Sequence, residues 1–266
     1  MSKQERWSKL LELLAVEGKL DVEVAAASVE VSAATIRRDL DELAEQRLLV
    51  RTRGGAIAHG VSYELPLRYK SSRRASEKQR IAGAVADMLG VGEVIGLNGG
   101  TTTTEVARAL VLRVGAGQTE AGDGLSGPLY TVVTNALNIA GELAVRPQFK
   151  IVVTGGVARP QTYELVGPLT AGVLNEVVLD VAVLGVDGID PQLGVMTHHE
   201  DEAGISRLFA ERARKVILAT DSSKMGKRAF ARICSLDRID VLVTDSGIAP
   251  DMAARLSEAG IEVVAV

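Results

Sequence analysis

The stretch Ser32–Ala58, SAATIRRDLDELAEQRLLVRTRGGAIA, reads as a helix followed directly by a small hairpin. Ser32 is placed to cap the helix, because its hydroxyl can accept from one of the first amides that has no partner inside the helix. Ile36, Leu40 and Leu43 recur at i, i+4 and i+7 and make an apolar stripe that must face a core. At about 100° per residue, Ala34, Arg38 and Asp41 fall on the opposite side, flanked by Thr35 and Arg37. Basic and apolar residues mix from Arg47 to Arg53, Gly54-Gly55 offers the positive-φ turn of a tight hairpin, and Ala56-Ile57-Ala58 begins a return strand.

An exposed helix of this kind fits the major groove of DNA, where an arginine fork on guanine O6 and N7 gives roughly 1–3 kcal/mol of discrimination. The hairpin, with Arg51, Arg53 and the Gly54-Gly55 turn, would grip the neighbouring backbone as a wing. The competing reading is that Arg37 and Arg38 are ordinary solvated helix residues. The upstream sequence bears on the choice. Residues 4–16 put Trp7, Leu10, Leu11 and Leu14 on one helical face with Gly18 as a stop, and Asp21 caps a second helix through Ser28. Three helices and a hairpin within about 58 residues make a winged helix-turn-helix.

The 266 residues leave room for one large α/β domain beside this small one. Hydrophobic residues make up 47% of the chain but aromatics only 3%, so Val, Leu, Ile and Ala must fill the core, as in parallel strands buried on both faces. The single cysteine, Cys234, excludes an intrachain disulfide and a multi-cysteine zinc site. The polar start MSKQERW carries no secretory or transit signal, so a cytoplasmic protein without a membrane partner is expected. Net charge is −4, unevenly spread: residues 1–45 carry 6 basic and 10 acidic groups, residues 46–80 carry 9 and 2, and residues 81–266 carry 15 and 22. The basic block spans the wing and the segment immediately after it. It reads as a phosphate-contacting surface or as a solvated linker.

Beyond the proline-containing, basic segment 61–76, read as a linker, a helix over 77–89 opens the second domain. The chain then repeats a short apolar strand, a small-residue turn and a helical pattern. Strands are expected at 94–97, 130–133, 150–153, 181–185, 216–220, 241–243 and 262–266, giving an α/β, mostly parallel sheet with helices on both faces. The domain limits are therefore 1–60, 61–76 and 77–266. Residues 115–127, GAGQTEAGDGLSG, read as a loop without chemistry.

Ligands bind such sheets at the carboxyl ends of the strands. After the first strand stand Asn98, Gly99, Gly100, Thr101, Thr102, Thr103 and Thr104, followed by a helix over 105–110. Glycine amides, threonine hydroxyls and a helix N-terminus suit an anion. A capped tight turn is the alternative. The lysine of a Walker A loop and the GxGxxG spacing are missing, so a nucleoside triphosphate or NAD is not indicated. Four further strand ends carry Thr134-Asn135, Thr154-Gly155-Gly156, Gly185 to Gly188 with Asp187, and Asp221 to Gly226 with Lys224. Together they offer amides, hydroxyls, one carboxylate and one ammonium to a phosphorylated sugar; Lys224 alone reads equally as a surface lysine. His198-His199-Glu200-Asp201-Glu202 lacks the i, i+4 histidine pair of a helical zinc site, and no metal is expected.

The run SAATIRRDLDELAEQ, with Arg51, Gly54, Gly55 and Ala56 in an Arg-x-x-Gly-Gly-Ala pattern, resembles the DNA-binding domain of the DeoR family of bacterial transcriptional regulators. Arg6, Arg68, Glu77-Lys78 and Ile81-Ala82 stand where that family's pattern places them. The order of strand-end turns, closing on Asp-Ser-Ser-Lys-x-Gly at 221–226, resembles the family's sensor domain, so the likeness covers nearly the whole chain. The resemblance implies a sensor similar in fold to ribose-5-phosphate isomerase and a phosphorylated sugar as effector, with Glu202 at the family's acidic position. Two departures stand out: Asn98 where many members have Asp, and Ser206-Arg207 where they have a Lys-Arg pair.

The expected function is a repressor of a carbohydrate-metabolism operon, acting on operator DNA as a homodimer or higher even oligomer, with no cofactor and no catalytic residues. The alternative is a sugar-phosphate isomerase with a DNA-binding appendage, using Asp187, Asp190, Glu200 or Glu202 and Lys224 as acid and base.

Overall fold

The computed structural model describes residues 1–46, 48–58, 67–70, 73–116 and 127–266, and divides them into two units, Met1–Arg73 and Arg74–Val266. Arg47, half of the proposed linker and most of the glycine-rich loop lie outside the described residues.

The first unit contains α1 (Lys3–Glu17), β1 (Lys19–Asp21), α2 (Val22–Ser28), α3 (Ala33–Glu45), β2 (Leu49–Thr52), β3 (Gly55–Ala58) and α4 (Leu67–Lys70). The starts of α1, α2 and α3 are capped by side chains. Ser2 and Glu5 form a reciprocal capping box, Asp21 accepts from the Glu23 and Val24 amides, and Ser32 accepts from the Thr35 amide at 3.2 Å. The stripes of Trp7, Leu10, Leu11 and Leu14, of Val22 and Ala25, and of Ile36, Leu40 and Leu43 close on one core with Leu49 and Ala56.

Three features differ from the sequence reading. Lys19–Asp21 is a strand, so the wing is a three-stranded sheet in the order β1-β3-β2 rather than a lone hairpin. Of the two turn glycines only Gly54 has positive φ, at 94°. Gly55 lies inside β3, where a β-carbon would stand 1.9 Å from the Leu20 carbonyl oxygen; it is required by the close approach of β1. Leu67–Lys70, read from sequence as linker, is helical, and Tyr69 is buried in the core of this unit.

The second unit begins with α5 (Ala75–Met88) and builds one parallel sheet from β4 (Val94–Leu97), β5 (Tyr130–Thr134), β6 (Phe149–Val153), β9 (Leu179–Leu184), β12 (Ala213–Ala219), β14 (Val241–Thr244) and β15 (Glu262–Ala265). The strand order is β15-β14-β12-β9-β4-β5-β6, and every neighbouring pair is parallel. All seven expected strands are present. Their continuous apolar runs follow from burial on both faces: Val181, Val183, Ile217 and Val243 join one core with Ile81, Val85 and Leu110, while Ala182, Leu184, Val216 and Leu242 join the other with Leu174, Phe209 and Leu256.

The helices on these faces are α6 (Thr101–Gly115), α7 (Leu137–Leu143), α8 (Pro168–Asn175), α9 (Glu200–Arg212) and α10 (Pro250–Glu258). Helix α6 begins at Thr101 and not at Glu105 as expected, because Gly100, at φ 142°, ends the strand exit and the chain turns helical at once. Two small antiparallel additions went unread in the sequence: a hairpin of β7 (Val157–Ala158) and β8 (Leu165–Val166), and a sheet of β10 (Gly188–Asp190), β11 (Gly194–Thr197) and β13 (Ala231–Cys234). Chain direction across the large sheet diverges between β4 and β9, the topological switch point at whose carboxyl edge open sheets of this type bind ligands.

Candidate functional site

On the first unit, the face of α3 opposite the core carries Ala34, Arg37 and Arg38, all exposed, with Ser32 and Thr35 at its N-terminal edge. Arg37 Nη2 lies 3.1 Å from Glu23 Oε1, an exposed pair of little energetic weight. Arg38 and Arg53 make no hydrogen bond or ion pair among the described residues and are exposed. Arg51 is different. Its Nε donates to Asp41 Oδ1 at 2.7 Å and its Nη1 donates to the Gly55 carbonyl, so it braces the wing against α3. The other anchor of α3 is Asp39, which accepts from Arg6 and from Trp7 Nε1 at 2.8 Å on the buried side.

At the carboxyl edge of the second unit, the sequence-selected residues do converge, but several are spent on the protein itself. Asn98 closes the switch point. Its Nδ2 donates to the Gly185 carbonyl at 2.9 Å and to Ser206 Oγ at 3.0 Å, and its Oδ1 accepts from the Gly185 amide at 2.8 Å. Thr103 and Thr104 donate back to the Gly100 carbonyl at 3.2 and 2.6 Å, so their hydroxyls tighten the first turn of α6. Among the described residues no side chain caps that helix, and Thr102 in its first turn is buried. Thr134 bridges the Leu97 carbonyl and the Ala136 amide. Asn135 is buried and donates to Glu164 and to the Leu165 carbonyl at 3.0 and 3.2 Å. Gly155 and Gly156, at φ 73° and 121°, admit the turn into the β7–β8 hairpin; a β-carbon on Gly156 would meet Thr170 Oγ1 at 2.2 Å.

The charged groups form a chain of contacts. Lys224 Nζ lies 3.3 Å from Asp187 Oδ1, whose other oxygen accepts from Thr197 Oγ1 at 2.9 Å. Thr197 also reaches Glu202 at 3.4 Å, and Glu202 accepts from Thr162 at 3.1 Å and pairs with Arg159 Nε at 3.3 Å. Arg159 Nη2 meets His199 Nε2 at 3.0 Å, which places that histidine in an arginine contact. Asp190, one of the candidate acids, is held by Arg228 at 2.5 Å and by two backbone amides, which keep its carboxyl well below the usual range, at about 2.

Glu164 escaped the sequence reading altogether. It sits in the β7–β8 hairpin, is 5% exposed, and fills the space left by the absent side chain of Gly99: its Cδ would be 2.3 Å from a β-carbon there. Burial and the adjacent Glu202 carboxylate push its own carboxyl up to about 8. Neither Glu164 nor Arg159 belongs to a spacing motif; they reach the crevice only because the hairpin folds over the strand ends.

A model of the DeoR C-terminal sensor domain matches residues 73–246, and one of the DeoR-like helix-turn-helix domain matches residues 6–60. The chain belongs to the DeoR family. Among its relatives in this family, a putative aga operon transcriptional repressor of Escherichia coli O157:H7 is 32% identical over 98% of this chain and 93% of that protein. The glycerol-3-phosphate regulon repressor of Escherichia coli K12 is likewise 32% identical, over 92% of each chain. As these names indicate, the DeoR relatives are repressors and not enzymes, and the isomerase alternative is set aside. In fold, the ribose 5-phosphate isomerase A structure from Methanocaldococcus jannaschii aligns at 17% identity and a TM-score of 0.39, over 56% of this chain and about half, 53%, of that one.

Proposed function

We propose that this DeoR-family regulator represses a carbohydrate-metabolism operon, and that a phosphorylated sugar seated at the carboxyl edge of the sensor sheet changes its operator affinity. The observation that carries the reading is the union, in one chain, of a DeoR-like helix-turn-helix domain with a DeoR sensor domain. Exposed Arg38 and Arg53 supply base and phosphate contacts, with Ala34, Thr35 and Arg37 alongside. The uncapped first turn of α6 and Lys224 supply the anion site, while Asp187 and Glu202 suit sugar hydroxyls. One relative is named for the regulon of a phosphorylated polyol, which favours this ligand class. No cofactor is needed for the scheme.

Signal transfer requires the effector to bind the DNA-competent and incompetent states unequally. Arg74 is suited to carry it. Its Nη1 donates to Ser222 Oγ at 3.1 Å, and it lies 3.7 Å from Asp221 and 3.6 Å from Asp245. The loop bearing Lys224 is thereby tied to the residue that begins the sensor unit. A homodimer or higher even oligomer would present two helices to two half-sites.

The test is fluorescence anisotropy on DNA from upstream of the protein's own gene, at fixed salt, titrated with a panel of sugar phosphates and their unphosphorylated counterparts. Specific binding altered by one phosphorylated sugar alone is the expected result. Binding that no phosphorylated compound alters would remove the effector assignment.

A further inference from the structure

We propose that Asp245 is a positioning residue for Lys224: it holds the turn that carries the lysine, and so sets where the ammonium meets an anionic group of the effector. The proposal rests on the reading of Lys224 as an anion contact given above.

Strands β12 and β14 run side by side and parallel, with Ala219 opposite Val243. The chain leaving β12 into Ser222–Lys224, a single tight turn, therefore passes the chain leaving β14 at Asp245. Asp245 is buried there, and its carboxylate takes three donors. Oδ1 accepts from the Ser222 amide at 2.7 Å, while Oδ2 accepts from the Ser222 hydroxyl at 2.8 Å and from the Gly247 amide at 3.1 Å. Gly247 is tied in sterically as well, since a β-carbon on it would stand 2.7 Å from both Asp245 Oδ2 and Ser222 Oγ. Arg74 backs the same carboxylate from 3.6 Å and donates to Ser222 Oγ at 3.1 Å.

Two of the three bonds to Asp245 end on Ser222, the first residue of the turn. The next links follow along the chain: Asp221 Oδ1 accepts from the Ser223 amide at 3.0 Å, and the Asp221 carbonyl accepts from the Lys224 amide at 3.1 Å. Beyond the lysine, the Gly226 amide donates to the Ile189 carbonyl at 2.8 Å. Lys224 is thus carried on a backbone pinned on both sides, and its Nζ stands 3.3 Å from Asp187 Oδ1 with the side chain still partly open to solvent. A lysine is a point charge on a flexible stem, so its ammonium is placed only as well as its backbone is. The acceptor at 245 must be a carboxylate. An asparagine there has one acceptor oxygen, cannot serve the Ser222 and Gly247 amides together, and would turn its NH2 toward one of them. The turn would then relax away from β14 and take Lys224 with it, while β14 keeps its own ladder, which ends at Thr244.

The experiment uses the full chain with inorganic phosphate as the probe, measured by calorimetry at fixed salt in wild type, Asp245→Asn, Lys224→Ala and the double variant. Asp245→Asn is expected to bind phosphate about tenfold more weakly than wild type, the scale of one displaced charge-assisted contact. Beside Lys224→Ala the same substitution should cost nothing further, because a residue that acts through the lysine has nothing left to place. A residue that merely stabilised the fold would lower affinity by the same factor in both backgrounds. Ser222→Ala, which removes the hydroxyl contact and keeps the amide one, repeats the comparison where Asp245→Asn does not fold. An equal loss in both backgrounds, or none in either, overturns the positioning role and leaves the anion site standing. A wild type that binds no phosphate, or binds it equally well after Lys224→Ala, overturns the anion reading of Lys224 and the proposal with it.

Discussion

The Asn98 side-chain amide donates to Ser206 Oγ at 3.0 Å, so the two positions at which this chain departs from the DeoR pattern are hydrogen-bonded neighbours. Both are buried, one at the end of β4 and the other on α9. Where the family resemblance implies Asp and Lys, this chain carries a neutral Asn–Ser pair, and the hydrogen bond between them predicts that exchanges at the two positions are coupled. Ser206→Lys alone buries an ammonium against an amide donor. Asn98→Asp alone turns a carboxylate oxygen toward the Gly185 carbonyl, for a cost of about 1–3 kcal/mol or more. The double variant should recover stability, with a coupling of roughly 1–3 kcal/mol in a double-mutant cycle read by urea unfolding. Strictly additive losses would show that the two sites do not compensate.

Asp39 is the buried anchor of the recognition helix. Alanine there strands the Arg6 guanidinium, whose charged form Asp39 favours, together with the Trp7 indole N–H. Removing one partner of a buried ion pair costs about 3–5 kcal/mol. Asp39→Ala should therefore melt the N-terminal unit early in differential scanning calorimetry while the sensor transition stays in place.

The two wing glycines should respond unequally to alanine. At Gly54 there is open space around a β-carbon, and only the positive φ is penalised, by about 1–2 kcal/mol. At Gly55 the β-carbon collides with the backbone of β1, so Gly55→Ala should cost more and abolish operator binding. Equal thermal shifts for the two variants would contradict the close-approach account.

Arg38 and Arg51 separate reading from bracing. Arg38→Ala should leave unfolding unchanged and weaken operator binding by about 1–3 kcal/mol, with little effect on random DNA. Arg51→Ala should lower stability through the lost Asp41 and Gly55 contacts and weaken both DNAs together. Anisotropy on the two DNAs, beside a melt of each variant, distinguishes them.

Glu164 gives a pH dependence of stability with a defined sign. Its folded carboxyl titrates above the 4.5 of the unfolded chain, at about 8, so between these values the native state holds the proton that the unfolded state has released. Its contribution is complete at low pH, declines as pH rises through that window, and is lost above it. Glu164→Gln should remove the decline, and urea unfolding of both proteins at several pH values measures it.

Elements whose burial leaves a periodic mark were legible in the order of the residues. The seven strands of the large sheet could be read because each is apolar on both faces, and helices α1, α2 and α3 because a stripe at i, i+4 and i+7 must meet a core and Ser32 and Asp21 are efficient caps. The exposed position of Arg38 followed from the same period. Contacts between distant parts of the chain settled the rest. Strands β1, β7, β8 and β10 are two or three residues long, too short to show a period. Their pairing is set by backbone partners distant in the chain, as Gly55 meeting Leu20 illustrates. The crevice is decided in the same way. Asn98, which the sequence places at a strand end among the effector residues, ties β4 to β9, while Glu164, with no motif around it, is brought onto Gly99 by the fold of a hairpin. A side chain's role there depends on which hydrogen-bond partners surround it in three dimensions, and local sequence carries no record of them.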